Sequence, residues 1–218
     1  MTTTMIDSPD VWYNMGIAYN DKCKQDKAIE CFKKAIEIKS DFYNAWHYMG
    51  EIYIDIHDID KAIECYQKAI EIKPDYYNAW FDLGLVYAKL DENKSIECYM
   101  KAIEIKPDEH EAWYYLGRTY HNKGEKNTAI ECFQKAIEIK PDYYFALYMS
   151  GIVYNEKGDK DKAIESYQKI IDISPGYFEA WAWNNMGNIY NDKGDKDKAK
   201  ECYQNAIKLK EAKSKEKM

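Results

Sequence analysis

The chain has 218 residues, 46% of them hydrophobic and 32% charged, so it can bury a core and is not a disordered polypeptide. With only 10 Gly and 5 Pro, the composition argues against a loop-rich or many-turned β architecture and for long helices. The net charge is −7, and the segment from Ile207 onward holds five Lys against two Glu, which leaves −10 on the rest; such a body suits a basic or neutral polypeptide rather than a nucleic-acid backbone.

The chain opens with a short arm, residues 1–8, that has no basic leader and no apolar run. No later stretch approaches the ~18 apolar residues of a membrane span, so no span is expected and a cytoplasmic location is. From residue 9 a repeat sets in. Gly16, Gly50, Gly84, Gly117, Gly151 and Gly187 recur at spacings of 34, 34, 33, 34 and 36. Three residues after each Gly stands a Tyr, from Tyr19 to Tyr190. Four before it stand Trp12, Trp46, Trp80, Trp113, Leu147 and Trp183. The expected repeats are 9–42, 43–76, 77–109, 110–143, 144–177 and 180–212, in a single domain over 9–212, followed by a Lys-rich tail, 213–218.

Within each repeat two helices are predicted. In helix A the Trp, the Met or Leu before Gly, and the Tyr fall at i, i+3 and i+7. In helix B the segment from Ala62 to Ile72 has the same period and strong helix formers. Gly50, Ala62 and Ala69 are small where the two helices approach most closely. Turns such as Asn122-Lys123-Gly124-Glu125 let Gly take positive φ, Pro74 ends helix B, and Asp75 is placed to cap the next helix A.

Departures from the pattern follow the chain. The first repeat has Ser40 in place of Pro, and the third lacks one residue between Leu90 and Asn93. The fifth carries Ser150 where Leu is usual and Ile170 where Ala is usual, which reads as a compensating exchange of volume. Two extra residues precede the sixth, within Glu179-Ala180-Trp181-Ala182-Trp183, and altered stacking is expected there.

The cysteines Cys31, Cys65, Cys98, Cys132 and Cys202 reuse one structural slot, and Cys23 is the sixth. Equivalent slots lie a helix-packing distance apart, roughly 8–10 Å, beyond the ~7 Å that a disulfide allows. They are expected to be reduced, buried, small apolar residues. There is no CxxC pair and the four His are scattered, so neither a metal nor another cofactor is expected. No phosphate loop, nucleophile elbow or zincin motif occurs, and the acidic turn 191–197 fails the calcium-loop pattern, so no enzyme activity is expected.

The spacing of Trp, Gly and Tyr, followed by Ala62, Tyr66, Ala69 and Pro74, resembles the tetratricopeptide repeat family. The resemblance implies an all-α, right-handed α-solenoid of six antiparallel helix pairs, with helices A lining a concave peptide-binding groove. Carried over repeat by repeat, the groove would include Tyr13 and Asn14, then His47, Tyr48, Glu51 and Asp55, then Phe81 and Asp82. It would continue through Glu111, Tyr114, Tyr115 and Arg118, then Phe145 and Tyr148, and finally Asn185 beside Trp181. Over all carried-over positions acidic residues outnumber basic ones eight to two, and aromatic residues are dense. These rings either pack between adjacent A helices or anchor a partner.

The expected function is a protein–protein interaction module or scaffold that holds a peptide segment, basic and apolar, by charge and cation–π contacts. A chaperone carboxylate clamp is disfavoured, because the required Lys is absent from the position occupied by Tyr13, His47, Phe81, Tyr114, Tyr148 and Asn184. Two alternatives stand: a structural unit that forms homo-oligomers through the unpaired helix faces of the solenoid ends, and a regulatory or targeting subunit of a larger assembly. Nucleic acid is not expected as a partner.

Overall fold

The computed structural model describes residues 8–173 and 177–216, in which twelve α-helices and no strand are found. Six of them, α1 (Pro9–Asn20), α2 (Gln25–Ile38), α3 (Tyr43–Asp55), α4 (Ile59–Ile72), α5 (Tyr77–Tyr87) and α6 (Glu92–Ile105), form one compact unit. The second unit contains α7 (His110–Asn122), α8 (Lys126–Ile139), α9 (Tyr144–Glu156), α10 (Lys160–Ile173), α11 (Tyr177–Asp192) and α12 (Lys196–Glu216). Each unit stacks three helix pairs, and within a unit every helix packs on its sequence neighbours. No described helix is long and apolar enough to cross a membrane.

The pairs close around the repeated Gly. A Cβ added to Gly50 would stand 2.6 Å from the Tyr66 ring, and the same clash recurs between Gly16 and Phe32, Gly117 and Phe133, and Gly151 and Tyr167. The aromatic residue of helix B packs directly against the Gly of helix A, and the missing side chain is what lets it in. Around it, Ala62, Cys65, Tyr66 and Ala69 form the buried stripe of α4 at i, i+3, i+4 and i+7.

Helices A begin differently from the expectation at Asp75. The residue before α5 is Tyr76, with no side-chain cap bond, and Phe42 and Tyr143 hold the same place before α3 and α9. Phe42 and Tyr143 are buried, so these positions secure the helix start with an inserted ring instead of a polar cap. The A–B turns in the second unit use Gly124, Gly158 and Gly194 at φ near +80°, whereas Cys23 and His57 take positive φ in the first.

The irregular repeats each have a local solution. In the third, α5 stops at Tyr87, and Asp91 caps α6 by accepting from the backbone N–H of Asn93 and Lys94. Ser95 then replaces the usual Ala and its hydroxyl donates to the Gly84 carbonyl at 3.0 Å. In the fifth, Ser150 and Ile170 are both buried. The extra residues before the sixth lengthen its helix A: α11 begins ten residues ahead of Gly187, where α3 begins seven ahead of Gly50. Residues 174–176 at that joint lie outside the described residues, as do 1–7 of the arm and 217–218 of the tail. Residues 213–216 continue helix α12 and are not a separate tail.

All six cysteines are free thiols. Five are buried, and burial pushes Cys65, Cys98 and Cys132 up to about 12, so those thiols stay protonated. Cys23 departs from the expectation: it is exposed, because it sits in the first A–B turn at φ 54° and not on a helix stripe.

Candidate functional site

The expected groove residues of the first unit divide into packed and open groups. Tyr13 of α1 and Tyr48 of α3 meet edge to face at 5.6 Å, and both lie on Phe32 of helix α2, at 5.7 and 5.9 Å. Both are half-buried, and burial, with Tyr48 adding to it, raises the Tyr13 hydroxyl above its ordinary pKa. Phe81 of α5 is likewise half-buried, stacked on Tyr77 and tilted against Tyr99. Asn14 is exposed. Tyr13 and Tyr48 therefore join one helix A to the next and onto helix B, and Phe81 packs its helix A onto helix B, before they offer a face to solvent.

His47 corrects the expectation of an exposed groove residue. It is 4% exposed, held between the rings of Tyr48, Tyr66 and Tyr76. Its Nε2 is 2.6 Å from Asp82 Oδ2, and its Nδ1 is 3.4 Å from the Tyr76 hydroxyl oxygen. Glu51, one helical turn along α3, completes a group whose ligand atoms all lie within 4.8 Å of one another. Burial raises Glu51 above the ordinary carboxylate range; nearby Asp82 and Asp55 push the same way and His47 opposes them.

Beside this group a cleft of 540 Å³ opens between α3 and α5. Glu51, Asp55 and Asp82 line it with carboxylates, and Ile54, Ile59, Leu85, Val86 and Leu90 supply the apolar wall; Lys89 is its cation. Ile59, Val86 and Leu90 were not among the expected residues. Ile59 and Leu90 come from the A–B turn region, whose side chains carry no periodic signal that assigns them to a face.

In the second unit Tyr114 is also buried, at 7%, and belongs to the core. It packs against Tyr143 at 5.4 Å and Tyr115 at 5.1 Å. The guanidinium of exposed Arg118 lies 5.7 and 5.5 Å from the Tyr114 and Tyr115 rings, so part of this surface is already covered by a cation. Glu111 is exposed. Phe145 and Trp181 remain open at 39% and 40%. Between them Tyr148 contacts Trp181 at 5.8 Å, and Asn185 donates from Nδ2 to the Tyr148 hydroxyl oxygen at 3.4 Å. These residues, with Ala180, Asn184 and Lys210, border a cleft of 500 Å³. Phe178, 4.0 Å from the Tyr144 ring, extends the aromatic surface and went unpredicted because it precedes the repeat pattern.

Comparison with known proteins gives consistent matches. Models described as tetratricopeptide repeat match residues 9–42, 110–143, 180–212 and 132–165, and a TPR repeat model matches 50–91 and 93–124. A crystal structure of MamA is 33% identical, with a TM-score of 0.71, covering 77% of this chain and 97% of that one. The structure of YrrB, described as a TPR protein with an unusual peptide-binding site, is 24% identical, with a TM-score of 0.66, covering 78% of this chain and 89% of that one. The C-terminal part of a TPR repeat-containing protein from Cytophaga hutchinsonii superposes with a TM-score of 0.82 at 21% identity, covering 94% of this chain and 84% of that one. No match was found among curated proteins.

Proposed function

The chain belongs to the tetratricopeptide repeat family, and from that premise we propose that it is a protein-interaction module, not an enzyme, that holds a basic and apolar peptide segment. The observation that carries this reading is the cleft between α3 and α5. Its three carboxylates, Glu51, Asp55 and Asp82, stand against Ile54, Leu85, Val86 and Leu90. A Lys or Arg side chain has the matching form, an apolar stem ending in a cation. Neither Glu51 nor Asp55 is in an ion pair with Lys or Arg among the described residues, so charge is available to a partner there. YrrB is described as having a peptide-binding site, which supports a peptide as the kind of ligand.

The test is selection from a displayed peptide library against the whole protein, with a chelator present throughout. Enrichment of Lys or Arg next to an apolar residue is expected, with binding that weakens as salt rises. Asp55→Asn, at an exposed position, should weaken the selected peptides several-fold. Enrichment of acidic peptides, or no enrichment, would overturn the reading.

Self-association has one observation in its favour. Val11 and Met15, one turn apart on α1, are each 38% exposed. Light scattering over a range of concentrations decides it: a mass that rises with concentration and falls back in Val11→Asp supports the reading, and a constant monomer mass removes it.

A further inference from the structure

We infer that His47, Glu51 and Asp82 form a binding site for a single divalent transition-metal ion of the Zn²⁺, Co²⁺ or Ni²⁺ class. The donors are one imidazole nitrogen and two carboxylate oxygens, all within 4.8 Å of one another. A nitrogen donor selects borderline ions over Mg²⁺ and Ca²⁺, which take oxygen ligands. His47 and Glu51 lie one turn apart on α3, and Asp82 comes from α5. The three are thus fixed by two packed helices and not by a loop.

The other repeats provide an internal control. The positions equivalent to His47 hold Tyr13, Phe81, Tyr114, Tyr148 and Asn184, and those equivalent to Glu51 hold Ile17, Leu85, Arg118, Ile152 and Asn188. No other repeat carries an imidazole at the first position or a carboxylate at the second. Among the described residues, only the α3–α5 step brings a buried imidazole and two carboxylates together. Two carboxylates face one imidazole, which leaves an excess of negative charge for a cation to balance.

The surroundings also suit a metal ligand. The Tyr76 hydroxyl oxygen, 3.4 Å from Nδ1, can accept the Nδ1 proton and direct the Nε2 lone pair toward the carboxylates. In the metal-free form Nε2 faces Asp82 Oδ2 at 2.6 Å. Binding replaces that contact: the ion takes the Nε2 lone pair, the ring proton stays on or moves to Nδ1, any second ring proton leaves to solvent, and the two atoms spread to the ~3.4 Å set by metal–ligand bonds of about 2.1 Å. Glu51 and Asp82 also line the 540 Å³ cleft, so an ion has a path in and room for water at its remaining positions. His47 and Asp82 are 35 residues apart in the chain, and no CxxC-type spacing announces the site.

The site is tested by titrating the whole protein with Zn²⁺, and with Co²⁺ for its absorption spectrum, with no peptide present. One ion per chain is expected, together with a rise in Tm. The Co²⁺ spectrum should show ligand-field bands without a thiolate charge-transfer band. Glu51→Gln, at the half-buried cleft wall, and His47→Gln, in the interior, should each lower affinity at least tenfold. His121→Asn, at the separate His121–Glu156 pair, should change nothing. Absence of binding at micromolar ion, unchanged affinity in Glu51→Gln, or a thiolate band would each overturn the assignment. Because the peptide selection is run with chelator and read through Asp55, either proposal can fail alone.

Discussion

The two units each contain three helix pairs built on the same Gly–aromatic contact, yet they turn from helix A to helix B by different means. In the second unit every turn has a Gly at φ +81° to +83°. In the first, Cys23 at φ 54° and His57 at φ 65° hold the same left-handed geometry, and the third turn is one residue shorter. A side chain in that region costs roughly 1–2 kcal/mol through its Cβ. His57 recovers part of it, since its Nδ1 bonds the Asp55 carbonyl oxygen at 3.0 Å. Cys23 is exposed, and its side chain makes no hydrogen bond among the described residues. The same fold is thus reached with turn strain in one unit and without it in the other. Helix packing, not turn chemistry, must fix the pair.

That comparison can be broken first at the shared contact. Gly50→Ala and Gly151→Ala each place a Cβ 2.6 Å from a buried Tyr ring, and should cost about 2–3 kcal/mol in either unit. Denaturant unfolding measures it; a cost confined to one unit would show that the pairs are not equivalent. Next come the turns. Gly124→Ala and Gly158→Ala, where nothing lies within 4 Å of an added Cβ, should cost ~1 kcal/mol from φ alone. Cys23→Gly should gain about 0.5–1 kcal/mol and His57→Gly less, because the latter loses its local hydrogen bond.

A smaller effect separates the fifth repeat from its neighbours. Ser150 is 2% exposed and its hydroxyl has no hydrogen-bond partner among the described residues, whereas the equivalent in the second repeat is buried Met49. Ser150→Ala should stabilise by about 0.5–1 kcal/mol, read as a higher unfolding midpoint with unchanged slope. Met49→Ala should destabilise instead.

The smallest effect is electrostatic. A hydrogen bond from His121 holds Glu156 below the ordinary carboxylate range, and Lys126 acts in the same direction. A depressed folded pKa adds stability above the unfolded carboxylate pKa, and this is lost as pH falls through the folded one. At a partly exposed site the contribution is under ~0.5 kcal/mol. Glu156→Gln should therefore flatten the acid limb of the stability curve slightly and leave its unfolding midpoint at high pH almost unchanged.

Sequence by itself determined the repeat, the helix pair and the reason for each Gly. Those depend on spacings of three, four and seven residues within one helix, and on a contact that every repeat makes with itself. The family resemblance, carried over by repeat position, led to the expectation that His47, Tyr48, Glu51 and Asp82 lie on the groove face of helices A. Only the tertiary structure decided how deeply each lies. His47 and Tyr114 read as exposed, because their depth is set by a ring that stands just before the next helix A: Tyr76, ahead of α5, beside one, and Tyr143, ahead of α9, against the other. These aromatics take the cap place expected of Asp75, and they close over the neighbouring helix only when two helix pairs stack. Side-chain burial at a repeat boundary is a property of the pair, and periodicity within a single repeat carries no information about it.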